Sequence, residues 1–275
     1  MQCLSPITLV AKTPKQLLVA QRQGRLRTYD VPCGKCLACL QKRRQDWIVR
    51  LKSEMRVSDS AFFVTLTYDD LNLPADGMLS VRDPQLFLKR LRQHPEVHGI
   101  NFRYFLVGEY GSTTFRPHYH AIIFNLPVFD SQHVHLRQII EQVWRKGGVH
   151  LVPASPATIA YTCKYVLTTQ EIAKKLELRT IPLMSSRRPA IGSCFLDTQT
   201  ARKLQHDTQG YIKSDGVTFS LPRYYVDKLF TDEQKRQLSN ERKEFAKIKE
   251  LSPREEEQIY YQRQQQLKKL SKQKL

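Results

Sequence analysis

The chain has 275 residues, 41% of them hydrophobic, which leaves room for one substantial core with appendages. It carries 44 Lys and Arg against 26 Asp and Glu, and this formal net charge of +18 favours a polyanionic partner. No apolar stretch approaches the roughly 20 residues of a membrane-spanning helix, and the chain start lacks the pattern of a secretory signal. We therefore expect a soluble, intracellular protein with no membrane partner.

Residues 1–58 contain a cysteine cluster. Cys33, Cys36 and Cys39 have CxxCxxC spacing, and Cys3 offers a fourth thiolate 30 residues earlier. Disulfides are not expected in a reducing compartment. The alternatives are a structural Zn²⁺ site, an iron-sulfur cluster or reduced packing cysteines.

A basic helix with an aromatic anchor is predicted over residues 41–50. It contains Arg43, Arg44 and Arg50 together with Trp47. This pattern is typical both of a solvated helix face and of one wall of a DNA groove. We assign these arginines, and Arg116 further along the chain, as candidate DNA contacts.

The next elements are a strand and a helix. Residues 61–68 alternate β-branched and aromatic side chains, which predicts a strand. Asp83 and Pro84 then begin a helix that carries Leu86, Phe87 and Leu91.

Two further strands, over 102–108 and 118–126, flank a glycine-containing loop. His118 and His120 begin the second strand and project on one side, because a strand alternates faces with period two. Glu109 lies just across the loop, where a carboxylate ending one strand meets the histidines beginning the next. We predict that these three residues form a divalent metal site.

An apolar stripe over residues 136–144 predicts a helix ended by Gly147 and Gly148, and a short strand over 149–152 follows. Ser155 and Pro156 then open another helix. That helix holds a compact group on one face, since residues four apart are neighbours on a helix: Tyr161, Lys164 and Tyr165.

The order of elements is βαββαβ followed by a helix. It predicts an α+β fold with a ferredoxin-like antiparallel sheet, the histidine strand near its centre and the tyrosine helix across the histidine face. Residues 59–170 form this core in our division, and residues 171–231 extend it. Residues 232–275 are predicted as a charged, basic helical tail, broken at Pro253 and partly disordered.

Four segments in this order resemble the motifs of HUH endonucleases: 63–68, 108–111, 117–120 and 161–165. Three more resemble the replication initiators of gokushovirus-type microviruses, small phages with circular single-stranded DNA: 31–39, 185–192 and 221–225. The likeness covers most of residues 1–231. Ala190 departs from the glycine expected there, in a loop outside the proposed chemistry.

The resemblance implies an HUH-type endonuclease and ligase for rolling-circle replication. Tyr161 or Tyr165 would attack an origin phosphodiester and give a 5′-phosphotyrosine, with Lys164 and Mg²⁺ or Mn²⁺ on His118, His120 and Glu109 assisting. The 3′ end would prime a polymerase. Because the chain has no GxxxxGK[ST] phosphate loop, no ATP use is expected, and a host helicase and DNA polymerase are implied partners. The cytoplasm of a bacterial host is the expected location.

Two alternatives remain open at this stage. One is a transposase or relaxase that uses the same chemistry. The other is a zinc-containing nucleic-acid-binding protein without catalysis, in which the histidines and tyrosines are structural. Formation of a covalent protein-DNA adduct separates the second from the enzymes.

Overall fold

The computed structural model describes residues 3, 6–10, 28–111, 113–175, 177–181, 183–214 and 216–248, with isolated positions at 258, 261, 262 and 265. It divides into two compact units, Met1–Arg44 and Gln45–Leu275. Pro253 and most of the predicted tail lie outside the described residues. Within the described part, no helix is both long and apolar enough to cross a bilayer.

The first unit contains a two-stranded antiparallel sheet of β1 (Ile7–Val10) and β2 (Thr28–Val31). Across it, the Thr8 hydroxyl donates a hydrogen bond of 2.7 Å to Asp30. Helix α1 (Leu37–Met55) follows and contains the predicted basic segment, and the division between the units falls within it.

The second unit is built on a five-stranded antiparallel sheet with the order β6-β3-β5-β4-β7. The histidine strand β5 is the middle strand, as expected. The strands are β3 (Ala61–Thr67), β4 (Arg103–Tyr110), β5 (Pro117–Phe124), β6 (Val149–Pro153) and β7 (Met184–Ser185). The helices between and after the first four are α2 (Arg82–Gln93), α3 (Val134–Trp144) and α4 (Pro156–Lys175).

The sheet buries both faces, because alternate side chains of each strand point to opposite sides. One face carries Leu66, Leu106 and Ile123, which lie in a core cluster with Leu91 of α2 and Trp144 of α3. The other face packs against α4 and the second half of α1. Its core cluster includes Phe63, Phe105, Ile122, Ile159 and Leu51. The strands are therefore nearly continuous apolar runs, interrupted only where polar residues enter the second face.

The chain then forms a smaller group of elements with a core of its own. They are a 3₁₀ helix (Ser193–Asp197), α5 (Gln199–His206), the hairpin β8 (Tyr211–Ser214) and β9 (Val217–Ser220), α6 (Arg223–Leu229) and α7 (Asp232–Ile248). Phe195, Leu204, Tyr225 and Leu238 are buried together there. The fold is thus α+β, with an antiparallel sheet and helices on both of its faces.

The end of α3 corrects one expectation. The left-handed residue that ends this helix is Arg145, with φ 58°, and not a glycine. Gly147 (φ +137°) meets a different demand, because a Cβ at this position would lie 2.3 Å from the backbone nitrogen of Asp69. This loop hydrogen-bonds to the end of β3, and only a glycine allows so close an approach.

Candidate active site

The histidines and the glutamate occupy two adjacent strands. In the antiparallel register Glu109 of β4 is directly opposite His118 of β5. The strand β4 runs to Tyr110, so Glu109 lies within it and not in the following loop. His118, His120 and Glu109 therefore project from the same face, on the rigid centre of the sheet.

Their side chains converge on one point. A single carboxylate oxygen, Oε2 of Glu109, lies 2.9 Å from Nε2 of His118 and 2.7 Å from Nε2 of His120. One candidate ligand atom from each residue can be chosen so that all three lie within 4.8 Å of one another. Three electron-pair donors aimed at a common point need a proton or a cation between them, so the set fits a divalent metal ion.

The outer ring nitrogens are fixed by other partners. Nδ1–H of His118 donates to the backbone carbonyl of Arg116 over 3.1 Å, which leaves the Nε2 lone pair for a metal. Nδ1 of His120 lies 3.0 Å from the hydroxyl of Thr65, its register partner on β3. The sequence analysis did not assign Thr65, because only the strand register brings it to this histidine.

Aromatic rings hold the plane of His120. Phe63 stacks on one side with ring centroids 5.5 Å apart and an angle of 12°, and Tyr165 stacks with 4.7 Å and 10°. His120 is also 4% exposed. Phe63 was another residue that sequence reasoning missed, since its alternation alone marks it as an ordinary core residue.

The surroundings set the charge states of the three ligands. Burial opposes ionisation of Glu109, but hydrogen bonds from His118 and His120 outweigh it and lower its pKa to about 2. Burial disfavours the charged form of His118 as well, yet the bond to Glu109 raises its pKa. Burial lowers the pKa of His120. An ionised carboxylate and a neutral imidazole are the forms that bind metals.

Helix α4 places both predicted tyrosines over this cluster. The Tyr161 ring meets His120 edge-on at 5.6 Å and Tyr165 at 5.0 Å. Nζ of the buried Lys164 lies 5.5 Å from the centroid of Tyr161 and 5.6 Å from that of Tyr165. The predicted metal ligands and the predicted nucleophiles thus share one site, and their roles remain predictions.

The two phenols differ in access. Tyr165 is 4% exposed, whereas Tyr161 is only partly buried. Burial, together with the nearby charge of Glu109, raises the pKa of both phenols. Both are therefore protonated at neutral pH, and either needs a nearby cation to become a good nucleophile.

The predicted DNA-contacting arginines have different surroundings. Arg116 forms an ion pair of 2.7 Å with Asp70 at the edge of the site. Arg50 is stacked over Trp47 at 4.2 Å and Tyr224 at 4.5 Å, so packing already engages it. Arg43 and Arg44 belong to the first unit.

The four predicted cysteines also come together, in the first unit. One Sγ from each lies within 4.8 Å of the others, for Cys3, Cys33, Cys36 and Cys39. This is the second group of candidate metal ligands among the described residues.

Comparison with known proteins agrees with this arrangement. The sequence model of a family described as replication-associated proteins of the ORF2 type matches residues 61–170, a segment that contains every residue of the candidate active site. No solved structure matches the chain.

Three curated relatives are phage proteins. Replication-associated protein VP4 of Bdellovibrio phage phiMH2K is 25% identical over 271 residues, covering 92% of this chain and 84% of the relative. Replication-associated protein ORF4 of Chlamydia phage 1 is 27% identical, covering 74% of this chain and 54% of the relative. Replication-associated protein ORF2 of Spiroplasma virus 4 is 26% identical, covering 82% and 79%.

The sheet, its site and these matches define the class as the replication-associated proteins of small phages. More narrowly, the resemblance to the initiators of gokushovirus-type microviruses is confirmed by the three phage relatives.

Proposed function

We propose that this protein nicks and rejoins single-stranded DNA at a replication origin, through a 5′-phosphotyrosine intermediate and with a divalent metal. The class of its relatives supports a role in replication. The observation that carries the chemistry is the stack of Tyr165 on His120, 4.7 Å between centroids, which places a phenol beside three converging metal ligands.

The ligand set suits Mg²⁺ or Mn²⁺. His118, His120 and Glu109 supply three donors, so coordination positions remain for a phosphate and water. A bound divalent cation would neutralise the phosphate oxygens and favour the phenolate of the nucleophile. Lys164 adds a positive charge next to both phenols.

The reaction exchanges one phosphoester for another. The tyrosine Oη forms a bond to phosphorus, the bond from phosphorus to the 3′ oxygen breaks, and the phenol proton passes to that oxygen through solvent. The 3′-hydroxyl can prime a host polymerase. Because the phosphoester is kept on the protein, resealing by the reverse attack needs no ATP.

Two tyrosines allow the roles to alternate. Tyr161 makes the first cut in our proposal, because it is the more accessible phenol. Tyr165 then cleaves the regenerated origin while Tyr161 is still loaded. Strand separation is left to a host helicase, in the cytoplasm of a bacterial host.

The sheet order supports a ferredoxin-like core of the HUH type. Counting β3 to β6 as four strands, their order across the sheet is fourth, first, third, second. One helix connects the first strand to the second, and another connects the third to the fourth. Such a split βαβ arrangement is that of the ferredoxin-like motif.

An adduct assay tests the proposal. The full chain is incubated with single-stranded origin DNA and Mn²⁺ and run on a denaturing gel. We expect a covalent adduct that the Tyr161→Phe, Tyr165→Phe double variant cannot form. Tyr104→Phe, a tyrosine of the opposite sheet face, is the matched control and should keep it. DNA binding without any adduct would support the non-catalytic alternative.

A further inference from the structure

The four cysteines have the spacing of thiolates around one ion. Sγ of Cys3 lies 3.5 Å from Sγ of Cys33 and 3.7 Å from Sγ of Cys36. A disulfide bond is about 2.05 Å long, so none of these is one. Zinc-sulfur bonds of about 2.3 Å at tetrahedral angles separate two thiolates by roughly 3.8 Å. The measured separations agree with a single tetrahedral ion.

Backbone donors support the sulfur atoms. Sγ of Cys33 accepts hydrogen bonds from the backbone N–H of Cys36 at 3.2 Å and of Lys35 at 3.5 Å. Sγ of Cys3 accepts one from the N–H of Cys33 at 3.3 Å. The turn depends on Gly34, whose φ of +73° favours a residue without Cβ. N–H groups directed at sulfur stabilise thiolates and orient them toward a metal.

We propose that Cys3, Cys33, Cys36 and Cys39 bind one Zn²⁺ as a closed structural site. Four thiolates fill a tetrahedral shell, so no position is left for a substrate. A cluster of several iron atoms would hold its thiolates farther apart than the single ion that these separations fit. The site ties residue 3 to the start of helix α1 and is a second metal site, separate from Glu109, His118 and His120.

Metal analysis of the purified full chain tests this site. Mass spectrometry should find one zinc per chain, retained by the His118→Ala, His120→Ala variant, and a drop of about tenfold in Cys36→Ser. Cys194→Ser, outside the cluster, is the control and should keep its zinc. Cobalt reconstitution should give the absorption of a tetrahedral thiolate site. Iron in place of zinc, or equal zinc in Cys36→Ser and wild type, would overturn the proposal.

A different observation concerns a turn at the far end of β4. The buried guanidinium of Arg103 pairs with Glu54 and donates to the carbonyls of Pro189 at 3.0 Å and Ala190 at 2.9 Å. Glu54 also accepts from the N–H of Gly192 at 2.6 Å. A buried ion pair is costly to desolvate unless its remaining groups are satisfied, and here backbone groups of one turn satisfy them. The pair therefore fixes that turn.

The fixed turn presents two exposed arginines, Arg187 and Arg188. Together with Arg92, whose guanidinium lies over the rings of Phe102 and Tyr104, they line a recess of about 580 Å³. No carboxylate lines this recess among the described residues. Rigid guanidinium groups on an open recess without acidic neighbours are suited to phosphates.

We infer that this recess holds phosphates of the DNA strand outside the scissile position, an inference that rests on the proposed function. Arg103 and Glu109 are six residues apart on β4, roughly 20 Å at 3.3 Å per residue. Proteins that bind single strands cover about 4–16 nucleotides per domain, so one bound strand can span both places.

Salt-dependent binding tests this inference. Arg187→Ala, Arg188→Ala should weaken binding to a single-stranded oligonucleotide about tenfold and reduce the salt slope by about 1.4, at roughly 0.7 per phosphate contact. Arg202→Ala, Lys203→Ala removes the same charge from two exposed residues of α5 and should change affinity less than twofold. Equal losses in both variants would overturn the inference. Failure of the proposed function would instead appear as a wild-type protein that forms no adduct.

Discussion

The two candidate metal sites are built on opposite plans. Glu109, His118 and His120 extend from adjacent strands at the centre of a buried sheet, so the sheet positions them with or without a metal. The four cysteines extend from a short N-terminal segment, a turn and the first turn of a helix. Their unit offers little apolar core, since the described residues of β1 are exposed. One site thus uses the fold, whereas the other helps to make it.

This comparison assigns different consequences to losing each site. An open three-donor site on a rigid sheet should lose chemistry and keep structure. A closed four-thiolate site should lose structure and keep chemistry. Variants of each site can therefore separate the two roles.

The largest effect is expected from the histidines. His118→Ala, His120→Ala should lower the rate of adduct formation at least a thousandfold, because two of three ligands are removed. Circular dichroism and the melting temperature should stay within a few degrees of wild type. Normal cleavage by this variant with Mn²⁺ present would mean that the metal site is elsewhere.

The cysteines should show the reverse pattern. Cys36→Ser should expose residues 1–44 to limited proteolysis while Mn²⁺-dependent adduct formation continues. Cys194→Ser serves as the control for thiol loss. If proteolysis of the two variants is indistinguishable, the N-terminal unit does not depend on its thiolates.

A smaller effect is expected at Thr65, which supports a ligand without being one. Thr65→Val removes the partner of His120 Nδ1 at constant shape and should weaken Mn²⁺ binding about 10- to 100-fold. Thr65→Ser keeps a hydroxyl and should restore most of the affinity. Titration calorimetry would measure both, and an unchanged Thr65→Val affinity would leave the hydroxyl without a role.

The smallest effect is on stability in acid. The pKa of Glu109 is lowered to about 2, so its ionised form contributes stability that is present above its ordinary pKa and is lost as pH falls toward 2. In buffer without added divalent metal, wild type should lose about 2 kcal/mol more than Glu109→Gln between pH 5 and pH 2. Parallel unfolding curves for the two proteins would contradict this coupling.

Periodicity explains why the sequence predicted most of the site. His118 and His120 share a face because strands repeat every two residues, and Tyr161 and Tyr165 share one because helices repeat near four. Glu109 was found because a short loop returns the chain beside itself. These are local rules, and they do not depend on which strands become neighbours.

The remaining contacts depend on long-range pairing. Thr65 reaches His120 only because β3 lies next to β5, across 55 residues of chain. Glu54 and Arg103 meet only after α1 has packed on the sheet, and neither residue has a local signal for this pairing. The packing of Arg50 between two rings was hidden for the same reason.

Peptide mapping of a trapped protein-DNA complex tests the assigned nucleophiles most directly. Full-length protein is reacted with origin DNA and Mn²⁺, digested, and the linked peptide is sequenced by mass spectrometry. We predict attachment at Tyr161, and at Tyr165 in the Tyr161→Phe variant. Attachment at another residue, such as Tyr119 or Tyr110, would contradict the assigned nucleophiles even if the protein proved to be a nicking enzyme.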